Sequence, residues 1–183
     1  MGAGSFLAAI SIGLMSKGSA TVPPTLKTRS VKKVLAVALR AIGTEPCLEA
    51  ASRLESALET RSAFELHVRS AGIDASGAQM IAKALRSISE GDAVFLKSLS
   101  LSYNNKIGDE GAAALSHALP GSLREVGLVG CAIGDKGGQA LLQWASQASG
   151  LKMLCIENNN FSDRLRVQFD LLGRRNEGLF VSV

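Results

Sequence analysis

The chain has 183 residues, of which 46% are hydrophobic and 4% aromatic, and this fits one domain with a core of aliphatic side chains. Residues 1–44 carry six basic and no acidic side chains, so the net charge of +4 arises entirely at that end. Cys47, Cys131 and Cys155 cannot all pair within the chain and lack metal-binding spacing. We interpret them as reduced thiols, which argues against a disulfide-stapled extracellular scaffold.

Residues 1–29 form a basic arm that lacks acidic residues. Their apolar run, Phe6–Met15, is too short to span a bilayer as a helix. No basic residue precedes this run, as one would in a secretory signal, although Gly-Ser-Ala at 18–20 resembles a cleavage site and keeps that alternative open. A basic, Ser-containing leader is typical of an organelle transit peptide, which slightly favours a mitochondrial or plastid location over the cytoplasm. A flexible basic arm, which would allow association with a membrane-bound complex, is the equal alternative.

Residues 30–60 are predicted to form an N-terminal helical cap. Apolar residues at helical spacing favour a helix over 30–42, closed by Gly43. The all-apolar core of this segment, VLAVAL, also fits a buried strand of a degenerate repeat. A second helix is predicted at Pro46–Thr60, and the pair would cover the open end of a repeat array.

Residues 61–183 repeat one unit, in which apolar residues follow the pattern L-x-x-L-x-L-x-x-N/C-x-I. The copies begin at Ala63, Leu96, Leu123 and Leu151, and this period is typical of a solenoid. A Gly-Asp pair follows the pattern in two copies, at Gly108-Asp109 and Gly134-Asp135, where the Asp would cap a helix. Strands are predicted at 64–69, 97–102, 124–129 and 152–157, and helices at 75–89, 109–119, 135–148 and 162–173.

Two further segments complete the predicted array. Ser89–Ala93 is expected to be a surface loop. Gly178–Val183 is predicted to be a fifth strand, whose outer edge would present unpaired backbone groups to a partner. A short, tolerated edge is the alternative. The residues of this predicted edge-strand interface are Leu179, Phe180, Val181, Ser182 and Val183.

The segments LKSLSLSYNNKIGDEGAAALSHAL and LREVGLVGCAIGDKGGQALLQWA resemble leucine-rich repeats of the ribonuclease-inhibitor type. The fourth copy departs from the pattern, because Ser162-Asp163 replaces the Gly-Asp pair. The resemblance covers residues 61–183 and implies an α/β solenoid, with four to five parallel strands on the concave face and helices on the convex face. For function it implies only that the exposed sheet face commonly binds protein.

Residues that alternate with the core leucines would line that face in rows. The predicted rows are Phe64, Lys97, Arg124 and Lys152; Glu65, Ser98, Glu125, Met153 and Phe180; His67, Ser100, Gly127, Cys155 and Ser182; and Arg69, Ser102, Val129 and Glu157. Lys97, Arg124 and Lys152, called the basic row below, would extend for about 10 Å and receive acidic side chains of a partner, or simply remain solvated. The predicted protein-binding residues are Lys97, Arg124, Lys152, Tyr103, Glu125, Met153 and Glu157.

The residue pattern argues against an enzyme. His67 and Ser100 would be neighbours, but Glu65 and His67 are two residues apart on a strand, about 6–7 Å, which is too far for the orienting hydrogen bond of a catalytic triad. No phosphate-binding loop is present, so no cofactor is expected. Nucleic-acid binding is not expected either, because the repeats are slightly acidic and offer few aromatic side chains for stacking.

The sequence therefore predicts a non-catalytic protein-interaction module. The favoured hypothesis is a structural or accessory subunit of a larger complex, because the leader is basic, the apolar content is high and the last strand has an open edge. The alternatives are a free cytosolic adaptor or inhibitor with a protein ligand on its concave face, and a module of a larger repeat receptor or GTPase-activating protein.

Overall fold

The computed structural model describes residues 30–58 and 62–183, so the predicted leader over 1–29 lies outside the described residues. Two helices come first, α1 (Val31–Ile42) and α2 (Glu45–Ser56). They are followed by β1 (Phe64–His67), α3 (Ala75–Arg86), α4 (Glu90–Ala93), β2 (Leu96–Ser100), α5 (Gly108–Ser116), β3 (Glu125–Gly127), α6 (Asp135–Gln147), β4 (Met153–Cys155), α7 (Asp163–Arg175) and β5 (Phe180–Ser182).

The five strands form one parallel sheet in the order β1-β2-β3-β4-β5. The long helices pack side by side in chain order, α1 against α3, then α5, α6 and α7. This alternation of strand and helix confirms the predicted short α/β solenoid with one parallel sheet. None of the described helices is long and apolar enough to cross a membrane.

The segment with the apolar core VLAVAL is the helix α1, not a strand. Leu35 and Leu39 are fully buried on one face, and Gly43 ends the helix in a left-handed conformation with its N–H bonded to Leu39 O. Helix α2 packs against α1, and the guanidinium of Arg40 binds the Glu55 carboxylate at 2.5 and 2.8 Å. This pairing lowers the pKa of Glu55 from its ordinary value.

The core is built from the repeated apolar positions of each copy. The first Leu of the pattern in three copies is buried, and so are the two strand positions that face the helices. These residues are Leu96, Leu99, Leu101, Leu123, Val126, Leu128, Leu151, Leu154 and Ile156. Trp144 on α6 is also buried, and its Nε1 donates to Leu119 O at 2.9 Å.

The Asn of the repeat pattern joins the second copy to the first and the fourth copy to the third. Asn104 is 1% exposed; its Oδ1 accepts from the N–H groups of Ala71 and Ile73, and its Nδ2 donates to the carbonyls of Val68 and Leu101. Every hydrogen-bonding valence of this side-chain amide is therefore used. The side-chain amide therefore links the turns of the first two copies by hydrogen bonds.

Asn159 repeats this arrangement two junctions further on, between the third and fourth copies. It accepts from the N–H groups of Cys131 and Ile133 and donates to the carbonyls of Leu128 and Ile156. At the intervening junction, Cys131 holds the corresponding position, where its Sγ donates to Leu101 O at 3.3 Å.

The Gly-Asp pairs act across repeats, which differs from the predicted capping of their own helices. Asp109 Oδ1 accepts from the N–H groups of Gly134 and Gly137, both at 2.8 Å, at the start of α6. Asp135 Oδ1 likewise accepts from Ser162 N at 2.7 Å, just before α7. Hydrogen bonds from the side chain and then the backbone of Ser162 lower the pKa of Asp135. Asp109 thus caps the helix of the next copy, whereas Asp135 binds the N-cap residue Ser162, whose own hydroxyl caps α7 by accepting from Leu165 N. Both side chains reach the next copy because adjacent repeats are closely stacked.

Two other local predictions are wrong. The expected loop at Ser89–Ala93 contains the helical turn α4, because Ser89 caps it by accepting from Asp92 N and donating to Asp92 Oδ2. Phe64 pairs with Leu96, not with Lys97. The pairing register shifts between Phe64 and Glu65, so Phe64 is displaced by one residue while Glu65 pairs with Ser98.

Candidate functional site

The exposed face of the sheet forms an open groove of about 520 Å³, called the sheet groove below. It lies over β1 to β4 and the turns where these strands end. Two predicted rows run across the sheet in the expected register, Glu65–Ser98–Glu125–Met153–Phe180 and His67–Ser100–Gly127–Cys155–Ser182.

Small residues form the floor of this groove. A Cβ atom at Gly127 would lie 2.8 Å from Ser100 Oγ and 3.1 Å from Ser102 Oγ, so the glycine and the serine hydroxyls fill the space closely. Ser102 also accepts from Val129 N at 3.2 Å. A ligand on this face would therefore approach the backbone and hydroxyl groups of β2 and β3 directly.

Tyr103 forms one wall of the groove at the end of β2. It is half exposed, at 49%, and holds a left-handed backbone with φ of 63°. The Arg69 guanidinium lies 5.2 Å from the centre of its ring, and a Cβ at Gly130 would lie 3.2 Å from the ring. A bulky residue in a left-handed conformation is uncommon, and such strain concentrates at functional sites.

The same position is left-handed in every copy. Ser70, Gly130 and Asn158 correspond to Tyr103 and have φ of 50°, 61° and 57°. The conformation is therefore a property of the repeat, which must turn sharply after each strand. What is particular to the second copy is the aromatic side chain that this turn directs into the groove.

Glu157 lies at the opposite end of the same wall. Ser182 Oγ donates to its Oε1, which joins β5 to the turn after β4. Its second oxygen, Oε2, is shielded from solvent and has no hydrogen-bond partner among the described residues. A shielded carboxylate oxygen without a donor is costly, so this group is only half satisfied.

Cys155 lies between Glu157 and Glu125 on the groove surface and is partly exposed. Burial first, and then the negative charges of Glu157 and Glu125, raise the pKa of its thiol. The deeply buried Cys131 has its pKa raised to about 11, mainly by burial. All three cysteines are free thiols.

His67 contacts a different serine from the one predicted. Its Nε2 lies 2.9 Å from Ser98 Oγ, although its partner in the strand register is Ser100. Glu65 Oε2 approaches the same nitrogen at 3.8 Å, which is closer than the spacing of the two residues along the strand but is beyond hydrogen-bond distance. A triad needs the carboxylate on one imidazole nitrogen and the nucleophile on the other, so this group does not form one.

The basic row lies beside the groove and does not line it. Its members are neighbours in the sheet, since Arg124 N donates to Lys97 O and Lys152 N donates to Arg124 O. Lys152 Nζ reaches over the turn at Gly178, 3.7 Å from the position of a Cβ there. Of the seven predicted binding residues, the groove is lined by four: Tyr103, Glu125, Met153 and Glu157.

Sequence reasoning left several groove residues out of the predicted site, although the row pattern already contained most of them. Arg69, Cys155 and Asn158 line the groove together with His67 and the serines of β2. Alternation with the core positions placed Arg69 and Cys155 on this face. Their contacts depend on side-chain conformations that alternation does not specify.

The predicted edge strand is present as β5. Leu179, Val181 and Val183 pack partly against the core, whereas Phe180 is 58% exposed. Within the described residues, β5 pairs only with β4. Its neighbour α7 also exposes apolar side chains, Val167 and Leu171. No group of three or more His, Cys, Asp or Glu side chains in the described part of the chain is placed to hold a metal ion.

A family model for the leucine-rich repeat matches residues 94–116 and 122–142. These segments contain β2 with α5 and β3 with part of α6, so two adjacent copies carry the match, which supports a leucine-rich repeat protein. Such domains generally mediate protein–protein interaction and are typically non-catalytic. A comparison with curated proteins gives no match.

Proposed function

We propose that this protein is a non-catalytic interaction module that acts as a structural or accessory subunit of a larger complex. The observation that carries the proposal is the sheet groove, an open face of a parallel sheet lined by an aromatic residue, two carboxylates and a row of hydroxyls. Interface hot spots favour aromatic and Arg side chains, and Tyr103 with Arg69 supplies both.

The finer family assignment is the ribonuclease-inhibitor type of leucine-rich repeat. It is supported by the copy spacing of 27 and 28 residues and by the full α-helices α5 and α6 between strands. Under this assignment the groove is the concave face of the solenoid. The residues proposed to contact a partner there are Tyr103, Glu125, Met153 and Glu157, with the basic row along the adjacent margin.

Membership of a complex is supported by a second exposed surface at β5 and α7. Phe180, Val167 and Leu171 expose apolar area, and the outer edge of β5 presents backbone groups. A partner would pack on this end or add a strand to it. We propose Leu179–Val183 as this second interface.

The alternative function is a free adaptor or inhibitor that holds one protein ligand in the sheet groove. A module of a larger repeat receptor or GTPase-activating protein is the third hypothesis, permitted by the repeat family. The first two differ in which surface is covered: a subunit uses the β5 end as well, whereas an adaptor uses the groove alone.

The test is affinity purification of the tagged chain from its native cells, with mass spectrometry of the bound proteins and of each subcellular fraction. Val167→Lys blocks the end at β5 and α7, Tyr103→Asn alters the groove, and a third form lacks residues 1–29. Lys83→Gln on α3 is the control, because Lys83 is exposed on a helix away from both surfaces.

A subunit should co-purify with several proteins in constant ratio, and Val167→Lys should release them while Lys83→Gln does not. Release by Tyr103→Asn alone, with a single bound protein, would favour the adaptor. Recovery of the same partners by all four altered forms would contradict both surfaces as binding sites.

A further inference from the structure

We propose that the sheet groove, together with Phe180 next to it on β5, binds an extended segment of a partner protein that carries a basic side chain for Glu157 and an apolar side chain for Met153 and Phe180. The inference rests on the protein-binding function proposed above and adds the chemistry of the partner. It follows from the distribution of charge and apolar area along β4 and β5.

The apolar contact is a pair of side chains at the start of the two strands. Met153 lies opposite Phe180 in the β4–β5 register, so the two are about 4.8 Å apart along the sheet. Met153 is 39% exposed and Phe180 58% exposed. Large apolar side chains that adjoin on one face and remain exposed mark a surface for burial by a partner.

The charged contact is Glu157 at the other end of β4. Ser182 satisfies one of its oxygens, and the other lacks a donor in the described chain. An incoming ammonium or guanidinium group would supply that donor, after a small rotation of the partly exposed side chain. Glu125, the second carboxylate of the groove, gives the same half of the face a negative charge.

Arg69 is the one Lys or Arg side chain among the described residues that line the groove, and it lies at the far end. Arg69 follows β1, three strand steps from Glu157, or about 14 Å across the sheet. Its guanidinium lies over the Tyr103 ring. Over β3 and β4 the groove is lined by Glu125 and Glu157 and, within the described chain, by no Lys or Arg, while Arg124 and Lys152 of the basic row lie on its margin at the strand starts. The end of the groove at Glu157 therefore complements a basic side chain, and an acidic one would face like charge there.

The spacing of the two contacts defines the ligand further. Met153 and Glu157 are four residues apart, or about 13 Å in an extended chain. Cys155, Ser182 and Gly127 lie between and beside them, and these small side chains let a backbone come close to the sheet. An extended segment with an apolar and a basic residue four positions apart matches this spacing.

The test is selection of random 12-residue peptides displayed on phage against the immobilised chain. Enriched peptides are then synthesised with a fluorescent label, and binding is measured by fluorescence polarisation. The variants are Glu157→Gln, which preserves shape and the Ser182 hydrogen bond, and Phe180→Ser. Glu110→Gln is the matched control, because Glu110 is an exposed carboxylate on α5. Thermal melts verify that each variant is folded.

Enriched peptides should share an apolar and a basic residue three to five positions apart. Glu157→Gln and Phe180→Ser should each weaken their binding at least tenfold, and Glu110→Gln less than twofold. Replacing the basic residue of the peptide by Glu should abolish binding.

Acidic or neutral consensus peptides that bind Glu157→Gln as tightly as the unaltered chain would overturn the inference while leaving the groove as a protein-binding surface. Failure to enrich any peptide would also overturn it, because segments of this pattern occur in the library. The proposed function would then still be decided separately, by the co-purification of folded partners.

Discussion

Asn104→Ala tests the link between the repeat pattern and stability most directly. The substitution removes four hydrogen bonds of 2.8 to 3.1 Å from a side chain that is 1% exposed. At about 1 kcal/mol net for each, the free energy of unfolding should fall by ~4 kcal/mol. That is a large part of the 5–15 kcal/mol by which most domains are stable. For a chain of this size the melting temperature should fall by roughly 8–16 °C.

The assay is urea denaturation followed by circular dichroism, with thermal melts in parallel. Asn160→Ala is the control, because Asn160 is exposed and belongs to the equivalent turn of the fourth copy. It should change the free energy of unfolding by less than about 0.5 kcal/mol. Asn104→Cys, which introduces the residue type that Cys131 supplies at the next junction, should fall between the two. Equal melting temperatures for Asn104→Ala and Asn160→Ala would refute the argument that the buried amide holds the first two copies together.

Three further predictions concern the exposed face. Replacing all three residues of the basic row by Ala should leave the melting temperature within a few degrees of the unaltered protein, because these side chains lie at the surface; a global loss of circular dichroism would show that the strand register is wrong. Tyr103→Asn should change the free energy of unfolding by less than about 1 kcal/mol, since Asn tolerates a left-handed backbone. Tyr103→Val should lower it by about 2 kcal/mol, because a β-branched residue is strained there. Equal melting temperatures for the two variants would contradict this argument from backbone strain. The raised pKa of Cys155 means that less thiolate is present at neutral pH than in a free cysteine. The rate of its alkylation by iodoacetamide should therefore be lower than that of glutathione at pH 7.4 and should continue to rise above pH 9. Mass spectrometry of the labelled peptides measures this rate, and a faster reaction than that of glutathione would contradict the prediction.

The architecture follows from local periodicity. The two-residue alternation and the 27- to 28-residue period together specify which side chains share a row, and both complete rows through the centre of the sheet have the predicted register. Helix α1 also follows from its apolar spacing and its terminal Gly43. These features need only the chain's own sequence and the geometry of strands and helices.

The features that sequence reasoning missed depend on contacts between copies. Asp109 was assigned to its own helix, but the helix it caps is α6, and this follows only from the distance between stacked repeats. The hydrogen bond from Ser182 to Glu157 joins residues 25 positions apart through one choice of side-chain conformations. The shift at Phe64 arises where the sheet begins, because β1 has no preceding strand in the described chain to enforce its register.

The unequal junctions between copies have a consequence for how the array opens. Asn104 places three buried side-chain hydrogen bonds across the first junction, and Asn159 places three across the third. Across the second junction Cys131 contributes one buried hydrogen bond, whereas the two accepted by Asp109 and the one accepted by Ser102 from Val129 N are partly exposed. Amide hydrogen exchange should therefore reveal two cooperative blocks, the first pair of copies and the second, and not four equal units. The border between these blocks lies beneath the sheet groove, at Ser100 and Gly127. A ligand bound across that border would hold the two blocks together, so its binding should slow amide hydrogen exchange in both halves of the array.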